Sequence, residues 1–446
     1  MSLEELAQER LIALAREGRL DEFVREARDL EGADLADILA ALDEDERVHV
    51  VRALPPEVSG EALVEMPEEA HAGVTLAALG SEEAAGIVDE LDDDDAADLL
   101  GELPPDTQAR ILRELEDRPE VERLLRYDEE TAGGLMTTGM LTVRDSDTVG
   151  GALEDIRRQV EEQELEDVYQ AFVVDDLHRL QGTIAFRTLV VNPPSRPIRE
   201  VLDEPVAVAS PDLDQEAVAR LMARYNIPSI AVVDNAGRLL GRITFDDVTD
   251  VVEAETTEDL LRFGGVSPNE EVAGGWRDAV RSRLPWVVLN VLTALTAASV
   301  VWYFEDRIGQ LALLAVFMPV VAGMGGNAGT QALAVTIRRI ALGQVTPRGL
   351  QGVVLKEMAV GITNGCVAAL LAGGVAGVVG GPSFGVVVAC AMVGNLFVAG
   401  FAGAFVPILL ARIGVDPAVA SSIFVTTFTD LCGFTLLLGL ASLALL

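Results

Sequence analysis

The sequence predicts a multi-domain chain: an all-α superhelical N-terminal domain, a duplicated α/β domain, an acidic linker helix and a five-helix α transmembrane domain. Charge and hydropathy separate along the chain, two internal repeats run through its polar part, and five long apolar stretches follow one another in its last third. The formal net charge is −39 over 446 residues, yet residues 284–446 contain only six Lys+Arg and five Asp+Glu. The 283 residues before them therefore carry 27 basic and 67 acidic side chains, a net of −40. Such a division makes a water-soluble part and a membrane part. The acidic surface excludes nucleic acid as a partner, because phosphates would be repelled, and it suits cations. Lys356 is the sole lysine, so a salt-adapted or GC-rich composition is an open alternative source of the acidity.

Residues 1–128 read as helical, with apolar side chains at helical spacing in Leu35, Ile38, Leu39 and Leu42. A repeat offset by 49 residues aligns Leu42-Asp43 with Leu91-Asp92 and Leu54-Pro55-Pro56 with Leu103-Pro104-Pro105. Each proline pair ends one helix and starts the next, so a short superhelical stack of helices is expected. The run Asp92-Asp93-Asp94-Asp95 falls at one repeat's turn, as a solvated helix cap or as part of a cation site.

Residues 129–251 change to β-like runs, Ala171–Val174 and Ile230–Val233, each followed by a turn and a further strand. Helical patterns precede them near Leu153–Val160 and Glu216–Tyr225. At an offset of 59, Val173, Val174, Asp175, Arg179, Leu180, Gly182, Ile184 and Phe186 match Val232, Val233, Asp234, Arg238, Leu239, Gly241, Ile243 and Phe245. Eight identities in fourteen positions mark a duplication, and the unit resembles a tandem pair of CBS domains. The resemblance implies a cleft of the kind in which CBS pairs bind adenine nucleotides such as ATP. The aspartate that commonly holds the ribose falls on Asp247 in the second repeat; the first repeat has Thr188 there, which leaves ATP binding open.

Residues 252–283 are expected to link the soluble and membrane parts. Asp247, Asp250, Glu253, Glu255, Glu258 and Asp259 recur at spacings of three and four, which brings like charges together on one helix. Divalent cations would relieve that repulsion and favour whichever packing gathers the carboxylates.

Five apolar stretches, 284–303, 311–337, 350–376, 385–410 and 417–446, are each long enough to cross about 30 Å of hydrocarbon. Trp286 and Trp302-Tyr303 bracket the first. Arg281 and Arg283 precede it, Arg338, Arg339 and Arg348 lie between the second and third, and Arg412 lies between the fourth and fifth. Basic loops alternate, so the polar region is expected in the cytoplasm and the C-terminus outside. The N-terminus, MSLEELAQER, has no signal-peptide pattern, in agreement with that orientation.

Asp430 lies inside the last apolar stretch, where a carboxylate is costly unless it faces water or a partner. Ser422, Thr426 and Asp430 are spaced by four and share one helix face, with Thr427 and Gly433 beside it. This polar stripe suits an ion path; a hydrogen-bonded packing role for Asp430 is the competing reading. The segment Pro319–Gln331 carries Gly323, Gly325, Gly326 and Gly329 together with Asn327 and Gln331, four residues apart. Its glycines suit either close helix packing or a cavity lining. A pore for Mg²⁺ needs room for the hydrated ion, carboxylates to attract it and polar groups for its waters. One Asp per chain is a thin charge, and two chains about one axis would match a divalent ion, which favours a homodimer.

The order of acidic helical domain, CBS pair, acidic linker helix and five spans resembles the MgtE family of Mg²⁺ channels over essentially the whole chain. The glycine segment Pro319–Gln331, Lys356-Glu357-Met358, Gly414-Val415-Asp416-Pro417, Thr429-Asp430 and Ala132-Gly133-Gly134-Leu135-Met136-Thr137 carry the resemblance. It implies a homodimer in the bilayer of a bacterial or archaeal inner (plasma) membrane, with the pore on the dimer axis. Asp430 is then the pore aspartate, with Ser422, Thr426, Thr427, Gly325, Gly326, Asn327 and Gln331 along the path. The linker helix is similar to the family's plug helix. Sensor carboxylates map onto Asp246, Asp247, Asp250, Glu255, Glu258 and Asp259, with Asp416 at the membrane end and Asp92 or Asp95 in the N-terminal domain. The implied mechanism is feedback: cytosolic Mg²⁺ bridges these carboxylates and closes the pore.

Two rivals follow from the same residues. One is a transporter or exchanger for Mg²⁺ or another divalent cation such as Co²⁺ or Mn²⁺, although no His, Met or Cys cluster accompanies Asp430. The other is a membrane-tethered nucleotide sensor, which would need neither Asp430 nor the glycine segment. No enzyme is expected: Cys366, Cys390, Cys432, His49, His71 and His178 are scattered, and no nucleophile–base pair or Walker motif is found.

Overall fold

The repeats are the clearest structural feature of the polar half. In the computed structural model, residues 3–28, 30–67, 70–116, 118–163, 169–267, 275–342, 344, 350–417 and 421–445 are described. Two units are distinguished, Met1–Ala254 and Glu255–Leu446.

The first unit opens with helices α1 (Leu3–Arg16), α2 (Leu20–Ala27), α3 (Gly32–Ala40), α4 (Glu44–Ala53), α5 (Pro56–Val64), α6 (Ala72–Ala77), α7 (Ser81–Val88), α8 (Asp93–Gly101), α9 (Pro105–Ile111) and α10 (Arg118–Leu124). The starts of α3, α4 and α5 recur 49 residues later as those of α7, α8 and α9. Local chemistry repeats with them. Asp43 and Asp92 stand at the N-cap positions of α4 and α8, and Pro56 and Pro105 occupy the first turn of α5 and α9. Asp43 accepts from the Glu46 amide, and Glu46 accepts in return from the Asp43 amide. The Ser59 hydroxyl donates to Val51 O, and 49 residues on the Gln108 amide donates to Leu100 O. Buried Arg47 donates to Leu39 O, Leu42 O and Ala70 O, tying the end of α3, the turn after it and the segment before α6 to one side chain.

The duplicated domain follows as β1 (Thr142–Arg144), α11 (Val149–Gln163), β2 (Gln170–Val174), β3 (Leu180–Ala185) and α12 (Phe186–Val191), then β4 (Val208–Ala209), α13 (Gln215–Tyr225), β5 (Ile230–Val233) and β6 (Leu239–Ile243). Each half forms a three-stranded sheet in which the first strand runs parallel and the third antiparallel to the middle one. The register shifts at Val173/Val174 in one half and at Val232/Val233 in the other. The turns are matched as well. Asp175 accepts from the Leu177 and Arg179 amides, and Asp234 from those of Ala236 and Arg238. The left-handed position is His178 (φ 59°) in one turn and Gly237 (φ 78°) in the other. The two halves join reciprocally there: Leu180 N donates to Gly237 O and Leu239 N to His178 O, both at 3.0 Å. The second half shares one apolar core with the helical domain, through Met136, Val218, Ile230 and Val248, whereas the first half has its own core around Val143, Val149, Ala171 and Ile184.

Helix α14 (Phe245–Phe263) crosses the boundary between the units. It begins inside the range expected for the duplicated domain, because only Thr244 separates Phe245 from the last strand. Residues 268–274 of the expected linker, and Arg348 of the basic loops, lie outside the described residues.

The second unit contains α15 (Trp276–Tyr303), α16 (Glu305–Gln310), α17 (Leu313–Ala341), α18 (Leu350–Gly380), α19 (Pro382–Arg412) and α20 (Ser421–Ala444). Five of these are long and apolar enough to cross a membrane. The first starts at Trp276, eight residues before the expected Leu284, since Arg277, Asp278, Arg281 and Arg283 continue the helix beyond its apolar part. Helix α19 packs on α17, α18 and α20 and forms the centre. Small residues let it do so. A Cβ on Gly400 would meet the Glu357 carbonyl, one on Gly361 the Leu396 carbonyl, and one on Gly403 would lie 2.5 Å from Gly329 O. Helix α15 packs along α20 and buries only Ala297.

Candidate ion path and regulatory carboxylates

Two groups of carboxylates stand out, one in each unit. In the first unit, α8 and α14 both begin with consecutive aspartates, where the positive end of a helix favours them. Asp94 is buried and its Oδ1 has no hydrogen-bond partner. Burial, then the charges of Asp95 and Asp247, push its carboxyl well above the usual range. Asp95 is pushed up to about 7 by burial and by Asp247 and Asp92, and Asp98 to about 7 by burial and by Glu129 and Asp247. Asp247 is raised by burial, against two bonds it accepts at Oδ2, from Thr244 N at 2.8 Å and Thr244 Oγ1 at 2.6 Å. Asp250 is raised by burial and by Glu65.

The structure thus gathers Asp92, Asp95, Asp246 and Asp247, which the sequence singled out, and adds Asp94 and Asp98. Asp98 lies one helical turn beyond Asp94 and Asp95, a periodicity visible in the sequence; its approach to α14 is not. Asp93 instead accepts a hydrogen bond from Thr138. Among the described residues, no three His, Cys, Asp or Glu side chains converge closely enough to hold one metal ion directly. The carboxylates crowd one region without forming a closed inner shell. That arrangement fits an ion that keeps its waters and is held through them.

In the second unit, Arg262 at the end of α14 forms ion pairs with Glu258 on its own helix and with Asp416 on the loop after α19. Two of the residues expected to face Mg²⁺ are therefore engaged by a guanidinium. Phe263 packs beside Leu333, Ile337, Ala402 and Val425, which seats this end of the helix on α17, α19 and α20.

Asp430 opens into a cavity of about 630 Å³ between α15 and α20, lined by Ala297, Val301, Trp302, Glu305 and Phe434 among others. The other stripe residues distribute around α20. Thr426 lies against Gly326 of α17 and donates to Ser422 O, and Thr427 lines a second pocket toward α19 with Val406 and Leu410. Asn327 and Gln331 are exposed on α17, outside the Asp430 cavity. Gly325 is buried against the Asn395 side chain, and Gly329 packs on Val425 and Thr429. Both glycines thus sit where helices approach closely. Sequence reasoning passed over Asn395, a fully buried amide in α19. Its signal was a lone Asn in an apolar stretch.

Comparison with known proteins agrees with this architecture. Profiles described as "Divalent cation transporter", "MgtE intracellular N domain" and "CBS domain" match residues 318–440, 30–130 and 198–254. The chain is 39% identical to the magnesium transporter MgtE of Thermus thermophilus over 74% of this chain and 73% of that protein. It is 30% identical to the Bacillus subtilis protein of the same name over 97% and 96%. Among solved structures, the cytosolic domain of the Mg²⁺ channel MgtE in complex with ATP is 34% identical, with a TM-score of 0.51, covering 56% of this chain and all of that one. The soluble part of a magnesium transporter matches at 29% identity with the same TM-score, covering 56% of this chain and 99% of that one. With helical domain, CBS pair and five membrane helices all in place, the chain belongs to the MgtE family.

Proposed function

We propose that this chain is a Mg²⁺-selective channel that takes up magnesium across a bacterial plasma membrane and is closed when cytosolic Mg²⁺ binds its acidic soluble region. The observation that carries the reading is Asp430. Its carboxylate sits within a membrane helix and opens into a cavity whose other walls are mostly apolar. A charge so placed serves an ion, since packing alone would not select it. The relatives named as magnesium transporters supply the ion's identity. Helix α15, exposed over nearly its whole length, offers the surface on which a second copy completes the path and adds a second Asp430. The soluble part then lies in the cytoplasm and the C-terminus outside, a reading supported by the alternation of basic loops.

Closure follows from electrostatics. Asp92, Asp94, Asp95, Asp98, Asp246, Asp247 and Asp250 repel one another at low Mg²⁺ and are drawn together when hydrated Mg²⁺ enters among them. Glu255, Glu258, Asp259 and Asp416 carry the change along α14 toward the membrane helices. Mg²⁺ favours closure by binding that state more tightly than the open one. ATP at the CBS pair belongs to the same reading, supported by the relative solved with it.

Mg²⁺ influx into proteoliposomes tests the proposal. The wild type should conduct at low internal Mg²⁺, and Asp430→Asn should abolish influx in folded protein. Influx surviving in the variant would remove Asp430 from the path. Equal transport of Co²⁺ or Mn²⁺ would replace the Mg²⁺ channel with a broader divalent transporter.

A further inference from the structure

Asn395 is fully buried at the centre of the membrane unit. Its Nδ2 donates to Val321 O of α17 at 2.8 Å, and its Oδ1 has no hydrogen-bond partner. Two glycines on different helices close on this one carboxamide. A Cβ on Gly433 of α20 would lie 2.7 Å from Nδ2, and a Cβ on Gly325 of α17 would overlap the same group. The amide is thus a spacer between α17 and α20, and both helices lack side chains at that level to admit it. Gly433 lies three residues after Asp430, about one turn along the same helix, and Gly325 is adjacent to Gly326, which faces Thr426.

We propose that Asn395 is a positioning residue of the ion path: its carboxamide, clamped between Gly325 and Gly433 and bonded to Val321 O, sets the spacing and register of α17 against α20 and so places Asp430. The inference rests on the pore reading. Val321 O keeps its helical donor when Asn395 is changed, so the fold does not depend on the Nδ2 bond. Thr426 against Gly326 and Val425 against Gly329 also join α17 to α20, and the carboxamide is the spacer that reaches α20 at Gly433, one turn from Asp430.

The test is Mg²⁺ influx into proteoliposomes for Asn395→Leu and Asn395→Asp, each as a ratio to wild type. Asn395→Leu should lower influx about tenfold, the weight of one well-placed buried hydrogen bond, and should weaken discrimination between Mg²⁺ and Co²⁺. Asn395→Asp keeps the shape and, when protonated, a donor for Val321 O. Its influx relative to wild type should be near normal in acid medium and fall in alkaline medium, a pH profile that filling space would not produce. Wild-type rates and selectivity in Asn395→Leu, or a ratio for Asn395→Asp that stays low even in acid medium, overturn the proposal. If the leucine variant fails to fold, the aspartate profile decides. Influx that survives Asp430→Asn, in contrast, overturns the pore reading and removes the path that Asn395 would position.

Discussion

Replacing Asp98 with Asn removes one charge from the crowded α8 carboxylates while keeping the side chain's shape. Asp98 is held up to about 7 by burial, by Glu129 and by Asp247. An unfolded Asp titrates near about 3.9. The native state therefore binds this proton more tightly, and its packing loses stability as pH rises from about 4 to about 7. A gap of about three pH units corresponds to roughly 4 kcal/mol once both states are ionised. Asn must still be buried with its amide satisfied, so we expect about half of that, roughly 2 kcal/mol. For a unit of this size the gain corresponds to about 4–8 °C in melting temperature. Scanning calorimetry of the full chain in detergent with EDTA, at about pH 8, reads it directly. The advantage should vanish near pH 5, where the native carboxyl holds its proton and the electrostatic penalty, about 1.5 kcal/mol, no longer exceeds the cost of burying the amide. Added Mg²⁺ should shrink it as well, since the ion relieves the same repulsion. A variant that melts at or below wild type at the higher pH, or that gains equally at both, would refute the electrostatic account.

Under the proposed gating the Arg262–Asp416 ion pair, which ties the end of α14 to the loop after α19, belongs to the closed state; Arg262→Gln costs that state about 1 kcal/mol and should raise the Mg²⁺ concentration that half-closes the channel about fivefold, measured by influx against internal Mg²⁺. Millimolar Mg²⁺ should protect α14 and its flanking loops from limited proteolysis, and equal digestion with and without the ion would sink the gating mechanism. Gly403→Val places methyl groups against Gly329 O and Ala332 at the centre of the membrane unit, where overpacking costs about 1–3 kcal/mol. A lower melting temperature in detergent, with the soluble unit's transition unmoved, is the expected result.

Repeats made much of the fold legible. Local chemistry such as the Asp43 and Asp92 caps and the prolines at Pro56 and Pro105 fixes where helices begin, and a duplicated sequence announces it twice. The membrane helices were legible from apolar length alone, though the start at Trp276 was not, because the charges on its first two turns conceal helix that continues past hydrocarbon. The sites were legible in composition but only partly in geometry. Asp94 and Asp98 acquire meaning through Asp247, some 150 residues away, and Arg262 meets Asp416 across a similar distance. Helical periodicity states which residues share a face, but not what that face meets. Asn395 escaped for the same reason: its partners, Gly325 and Gly433, are conspicuous only once three helices are seen together.

The loose arrangement of the carboxylates on α8 and α14 is itself suited to the proposed ion. A site that surrounds a bare cation needs several carboxylates converging on one point, and among the described residues no such convergence exists. Mg²⁺ gives up its waters reluctantly and is commonly held by one or two carboxylates with water filling the rest of its shell. Carboxylates spread over the first turns of α8 and α14 can bond those waters without stripping them. Those in the first turn are partly stabilised by their helix terminus, and all are penalised by their neighbours. The balance lies close to neutral pH, since Asp95 and Asp98 reach about 7 without any ion. A cluster that far from comfortable ionisation responds to a modest rise in divalent charge, where a fully satisfied set of ion pairs would not. Under the proposed gating, a weakly held ion is therefore what the task requires: the soluble unit must release Mg²⁺ when its concentration falls, and a tight inner-shell site would keep the channel shut.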